Sequence, residues 1–118
     1  MGIFDKFLKK QPVAIPSPAE QAVLIHLNGT DLAQDVYDNY DTSTLEDLLI
    51  DALQSSSLGE FDGNEVGPET TTLYLYGPDA EKIFTRIEPI LRDYPLCEHA
   101  EIIIRKGPNG SPQRTVTL

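Results

Sequence analysis

Residues 69–84, ETTTLYLYGPDAEKIF, change period at Gly77-Pro78. Before that point the side chains alternate, which puts Leu73 and Leu75 on one face of a strand and Tyr74 and Tyr76 on the other. After it, Ile83, Phe84, Ile87, Ile90, Leu91 and Tyr94 recur every three to four residues, the spacing of one buried helix face. Asp79 is placed to cap that helix, and Tyr94-Pro95 to end it. Pro89 lies inside it and removes one backbone hydrogen bond, so a kink or a weakening is expected there. A strand that runs straight into an amphipathic helix calls for a layered α+β fold. In such a fold helices cover one face of an antiparallel sheet and leave the other face open.

The rest of the chain fits that plan. QAVLIHLNG (21–29) reads as the first strand, with Val23, Ile25 and Leu27 facing one way and Ala22, Leu24 and His26 the other. Residues 30–42 are acidic and read either as a short helix or as a long loop. STLEDLLIDALQSS (43–56) is a helix with a Ser43/Glu46 capping box and a stripe of Leu45, Leu48, Leu49, Ala52 and Leu53. LGEFDGNEVG (58–67) has weak strand character, with a bulge expected at Gly63. AEIIIRKG is a further strand, and RTVTL a short one hairpinned to it across PNGSP. This is a ferredoxin-like βαββαβ order, with two helices on one face of an antiparallel sheet and an extra C-terminal strand. That domain spans 21–118. Residues 1–20 hold an amphipathic segment and a Pro-rich linker with Pro12, Pro16 and Pro18.

GEFDGNEVG, TLYLYGPDAEKIF and IEPILRDYPL resemble, in order and spacing, a family of uncharacterised small bacterial ferredoxin-like domain proteins. The resemblance covers roughly residues 43–106, and LYLYGPDA is its most specific part. It implies the fold. It brings no established activity and no catalytic residue.

At 118 residues the chain suits one domain, and it can bury roughly 65% of its unfolded surface without a staple. Cys97 is its one cysteine, so no internal disulfide can form, which fits a reducing compartment. No apolar run approaches the roughly 20 residues that span a bilayer, and MGIFDKFLKK lacks a secretory apolar region. Gly2 would suit myristoylation, but Lys6 stands where Ser or Thr is expected. These features point to the cytoplasm.

Charge is strongly segregated. From Gln11 to Glu81 there are 14 carboxylates and no Lys or Arg, while residues 1–10 and 82–118 each carry +2, giving +2 − 14 + 2 = −10. Such a field repels nucleic-acid phosphate and anionic membrane and attracts a basic partner.

Several candidate sites follow. On the open face, Leu24 and His26 of the first strand should neighbour Tyr74 and Tyr76, with Ile103 and Arg105 of the fourth strand beside them. RNA-recognition modules place aromatic side chains on the same two strands. Here the Lys/Arg-Gly-Phe run is missing and the net charge is −10, so RNA is excluded and a protein contact is expected on this face. Glu60, Asp62 and Asn64 share the spacing of a calcium loop, but Glu65 and Thr71 fail its glycine and bidentate positions. Cys97, His99 and His26 are too few for a zinc site without carboxylates, and Cys97 reads as a half-buried loop residue. In residues 3–10, Ile3, Phe4, Phe7 and Leu8 share one helical face, with Lys6, Lys9 and Lys10 away from it. Two readings lead for this segment: Phe4 and Phe7 dock it on its own domain or on a partner subunit, or it is disordered. A membrane contact is disfavoured by its shortness and by the charge of the rest.

No metal, cofactor or catalytic set is expected. The leading functional expectation is a small acidic, non-enzymatic interaction protein of inhibitor or immunity type, binding a basic protein through its Lys/Arg-free region, with Asp35, Asp38, Asp41 and Asp47 as the acidic surface. The open face would also allow a homo-oligomer. The second expectation is a small-molecule-sensing domain that uses the open face or a dimer seam.

Overall fold

In the computed structural model, which describes residues 20–108 and 110–118, β1 (Gln21–Asn28) leads into α1 (Gln34–Asn39) and α2 (Thr42–Ser56). Then follow β2 (Glu60–Val66), β3 (Thr70–Gly77), α3 (Ala80–Asp93), a 3-10 turn at Pro95–Cys97, β4 (Glu101–Arg105) and β5 (Gln113–Thr117). The five strands form one open sheet in the order β2-β3-β1-β4-β5, and every neighbouring pair is antiparallel. The architecture is α+β, compatible with the split β-α-β plan expected from the sequence. The segment that includes Phe4 and Phe7 lies outside the described residues.

The core is built from the alternating faces that the sequence marks. Val23, Ile25 and Leu27 of β1, Leu73 and Leu75 of β3, and Ile102 and Ile104 of β4 pack under Leu45, Leu49 and Leu53 of α2 and Ile83, Ile87 and Leu91 of α3. Burying one Leu or Ile side chain is worth roughly 1.5–3 kcal/mol, so this layer dominates stability.

Local details depart from the sequence reading. α2 is capped by Asp41, whose side chain accepts from the Thr44 N–H at 2.9 Å, not by a Ser43/Glu46 box. Glu46 instead accepts a hydrogen bond from Asn64 of β2, which draws its carboxylate away from the helix start. Leu48 is 42% exposed and does not share the buried stripe. Residues 30–42 hold a short helix preceded by a turn. The Asn28 side chain accepts from the Thr30 and Asp31 N–H groups in a tight turn, and α1 follows. The Tyr37 hydroxyl donates to the Asn28 carbonyl and accepts from the Leu32 N–H, both at 3.0 Å, tying α1 to the end of β1. Of the two readings of this stretch, the short helix is the one found, over Gln34–Asn39.

Other expectations hold. Asp79 caps α3, accepting from the N–H groups of Glu81 and Lys82. α3 runs on past Pro89 to Asp93. The β2–β3 register shifts between Phe61 and Asn64, and Gly63 there has φ +105°, open to glycine and strained for other residues.

Candidate functional site

The strand register assembles the open face from named rows. Leu24 lies opposite Tyr74 on one side and Ile103 on the other, and Ile103 opposite Thr115. Ala22 lies between Tyr76 and Arg105, with Glu60 beyond Tyr76. His26 lies between Thr72 and Glu101, with Glu65 beyond Thr72. Directly opposed residues share a face, so Leu24, His26, Tyr74, Tyr76, Ile103 and Arg105 come together on the side away from α2 and α3. Neither tyrosine is packed beneath the helices; both are half-buried.

These side chains hold one another. The Tyr74 hydroxyl donates to a Glu65 carboxylate oxygen at 2.8 Å, and that bond raises the phenol's pKa above its ordinary value. Tyr76 is raised chiefly by burial and next by the nearby Asp62 carboxylate, with Arg105 pulling the other way. His26 Nδ1 lies 2.8 Å from the Thr72 hydroxyl. Ala22 is fully buried although it points to this face, between the flanking side chains of Tyr76 and Arg105. The result is a central apolar row of Tyr74, Leu24 and Ile103 within an acidic frame.

At one end of β1 a polar cleft of about 450 Å³ is lined by His26, His99, Glu69 and Glu101 among others. Both histidines meet here, yet no group of three His, Cys, Asp or Glu residues able to hold a metal is formed among the described residues. Cys97 does not join them. It is fully buried in the core, not half-buried in a loop, and burial pushes its thiol up to about 12, which leaves it without a thiolate near neutral pH. Glu60, Asp62 and Asn64 form no calcium loop. They run along the bulged edge strand β2, where the Glu60 and Asp62 carboxylates oppose edge-to-edge pairing.

A second surface lies in the helix layer, and the sequence reading missed it. Leu48 of α2 and Pro89, Ile90, Asp93 and Tyr94 around the end of α3 line an apolar groove of about 460 Å³. Tyr40 stands edge-on to Tyr94, with ring centroids 5.6 Å apart, and the Tyr94 hydroxyl donates to the Asp41 carbonyl at 2.7 Å. Leu48 and Tyr40, at 42% and 39% exposure, are two of the three large apolar side chains most open to solvent among the described residues. Asp47 precedes Leu48, and Asp51 lies one turn further along the same helix. The groove therefore sits in an acidic surround. The signal in the sequence was an apolar stripe on α2 too wide for the sheet to bury.

Asp35, Asp38 and Asp47 are exposed, as expected of an acidic surface. Asp41 is exposed too but serves as the α2 cap. The bond from Thr44 holds its carboxyl below the usual value. All described Lys and Arg residues lie on α3, β4, β5 or the turn after β4. They are used locally: Arg114 reaches Glu81 with two bonds of 2.7 and 2.8 Å, Lys106 joins the same carboxylate at 3.6 Å, and Arg92 pairs with Glu88 at 2.8 Å. No Lys or Arg ion pair reaches an acid of α1, α2 or β2 among the described residues. No helix of the described residues is long and apolar enough to cross a membrane.

Comparison of the chain with protein-family models, with curated proteins and with solved structures finds no match. Geometry and charge alone therefore carry the functional reading.

Proposed function

We propose that this is a ferredoxin-like α+β domain acting as a small acidic, non-enzymatic interaction protein, which binds a basic protein partner on the α1–α2 side. The sheet order and the two long helices between strands support the fold. The observation that carries the function is the α2–α3 groove: an exposed apolar anchor, Leu48 with Tyr40, beside Asp47, Asp51 and Asp93, none of which is in an ion pair among the described residues. An apolar pocket with Asp47, Asp51 and Asp93 about it suits an apolar side chain flanked by Lys or Arg, although Arg86 of α3 crosses to the Ala52 carbonyl one turn beyond Leu48. The pocket supplies residence, and the surrounding acids supply orientation and association rate. The mechanism is occupation and steric blockade of a basic surface. Asp35, Asp38 and Asp47 steer the partner; Asp41 holds the helix start and contributes its charge from there.

The test is a titration of the protein with a designed 14-residue Lys/Leu amphipathic helix, followed by amide and methyl chemical shifts. Shifts should centre on Leu48, Ile90 and Tyr94, and Leu48→Asp should weaken binding about tenfold or more. Shifts spread evenly over the surface, or unaffected by Leu48→Asp, contradict the reading.

A further inference from the structure

β1 and β4 carry apolar residues on both faces. Ala22-Val23-Leu24-Ile25 and Ile102-Ile103-Ile104 are unbroken apolar runs, the pattern of strands covered on both sides. β3 differs, since Tyr74 and Tyr76 alternate with its buried leucines. Val23, Ile25, Ile102 and Ile104 are accounted for by α2 and α3. Leu24 and Ile103, paired across β1 and β4, have no helix above them.

Two features of the molecule select what covers them. The first is charge. Glu20, Glu60, Asp62, Glu65 and Glu101 border or lie on this face against Arg105, so −5 + 1 = −4. A second copy would set −4 against −4. Residues 1–10, with Lys6, Lys9 and Lys10 against Asp5, carry +3 − 1 = +2 beside Ile3, Phe4, Phe7 and Leu8. The second is attachment. The described residues begin at Glu20, which lies at the rim of this face beside Tyr76 and Glu60. The nine residues 11–19 span roughly 28 Å if extended at about 3.1 Å each. The row of Tyr74, Leu24 and Ile103 is only four residues along β1 from Glu20, about 13 Å.

We infer that residues 3–8 of this same chain dock on the open sheet face, with Phe4 and Phe7 over Leu24 and Ile103 and the lysines toward Glu60, Glu65 and Glu101. The segment completes the second apolar layer of β1 and β4 and leaves the α2–α3 groove free. This inference does not depend on the groove's proposed role.

The test uses the full chain and a Phe4→Glu/Phe7→Glu variant, whose changes lie outside the described fold. Resonances of Ala22, Leu24, Tyr74 and Ile103 should move between the two proteins, while those of Leu48 and Ile90 stay. Both proteins should run as single 13.1 kDa chains by sedimentation. Unchanged sheet-face resonances overturn the inference. So do changes centred on Leu48 and Ile90, which would place the segment in the groove. A particle of twice that mass assigns the face to a second copy and overturns it as well.

Discussion

Leu48 and Leu49 are neighbours in the chain with opposite surroundings: Leu49 is fully buried and Leu48 is 42% exposed. Leu49→Ala should cost about 2–5 kcal/mol in urea unfolding, from lost transfer energy plus the cavity left behind. Leu48→Ala should stay within about 0.5 kcal/mol. Equal losses would mean that the groove is closed in solution. The sequence reading counts Leu48 in the stripe because residues 45, 48, 49, 52 and 53 fit one helical face. What it does not contain is the neighbour. Pro89 and Tyr94 of α3 stand along Leu48 without closing over it. Glu81 gives a pH prediction at the same scale. The hydrogen bonds from Arg114 come first, and with Lys106 they hold its carboxyl down to about 2. A depressed carboxyl stabilises the fold above its unfolded value of 4.5 and loses that contribution as pH falls toward about 2. Its side chain is about one-third exposed, so screening keeps the effect small. Glu81→Gln should lower the melting temperature slightly at pH 7, and the difference from the native chain should vanish near pH 2. A difference that persists in acid would contradict the ion-pair account.

At the scale of elements, β2 shows how a weak signal becomes a strand. EFDGNEV has little apolar content, yet it pairs along β3 by stepping its register at the bulge. Gly63→Ala must hold a Cβ at φ +105° and should destabilise by about 1–2 kcal/mol in thermal unfolding, though open space surrounds the site. An unchanged melting temperature would show that the bulge relaxes to another geometry. The bulge, β1, β3, β4 and the Asp79 cap were legible because each is specified within a few residues. α1 was legible only as one of two alternatives, and the true start of α2 was not legible. α1 depends on the Tyr37 hydroxyl reaching the end of β1, nine residues away. Ser43 and Glu46 have capping-box spacing, but Glu46 is drawn to Asn64, 18 residues on, and Asp41 takes the cap. Contacts between distant segments decided both cases, and local pattern does not encode them.

At the scale of the whole molecule, charge is divided between two sides. α1, α2, β2 and β3 have no Lys or Arg, while α3, β4, β5 and the turn after β4 hold every described one and spend several on local partners. Position along the chain already showed this polarity, since the cation-free run is continuous. The groove at its border, between α2 and α3, required the fold. An uncompensated side of this kind acts at long range and is screened beyond roughly 10 Å at 0.1 M salt. The most direct measurement is the stopped-flow association rate of the Lys/Leu helix between about 0.05 and 0.5 M salt, for the native chain and for Asp35→Lys/Asp38→Lys/Asp47→Lys. Asp41 is left in place so that α2 keeps its cap. Steering predicts a rate that falls about tenfold or more with salt in the native chain, and a reversed variant that is slow at every salt. Equal rates for both proteins, unchanged by salt, would contradict it.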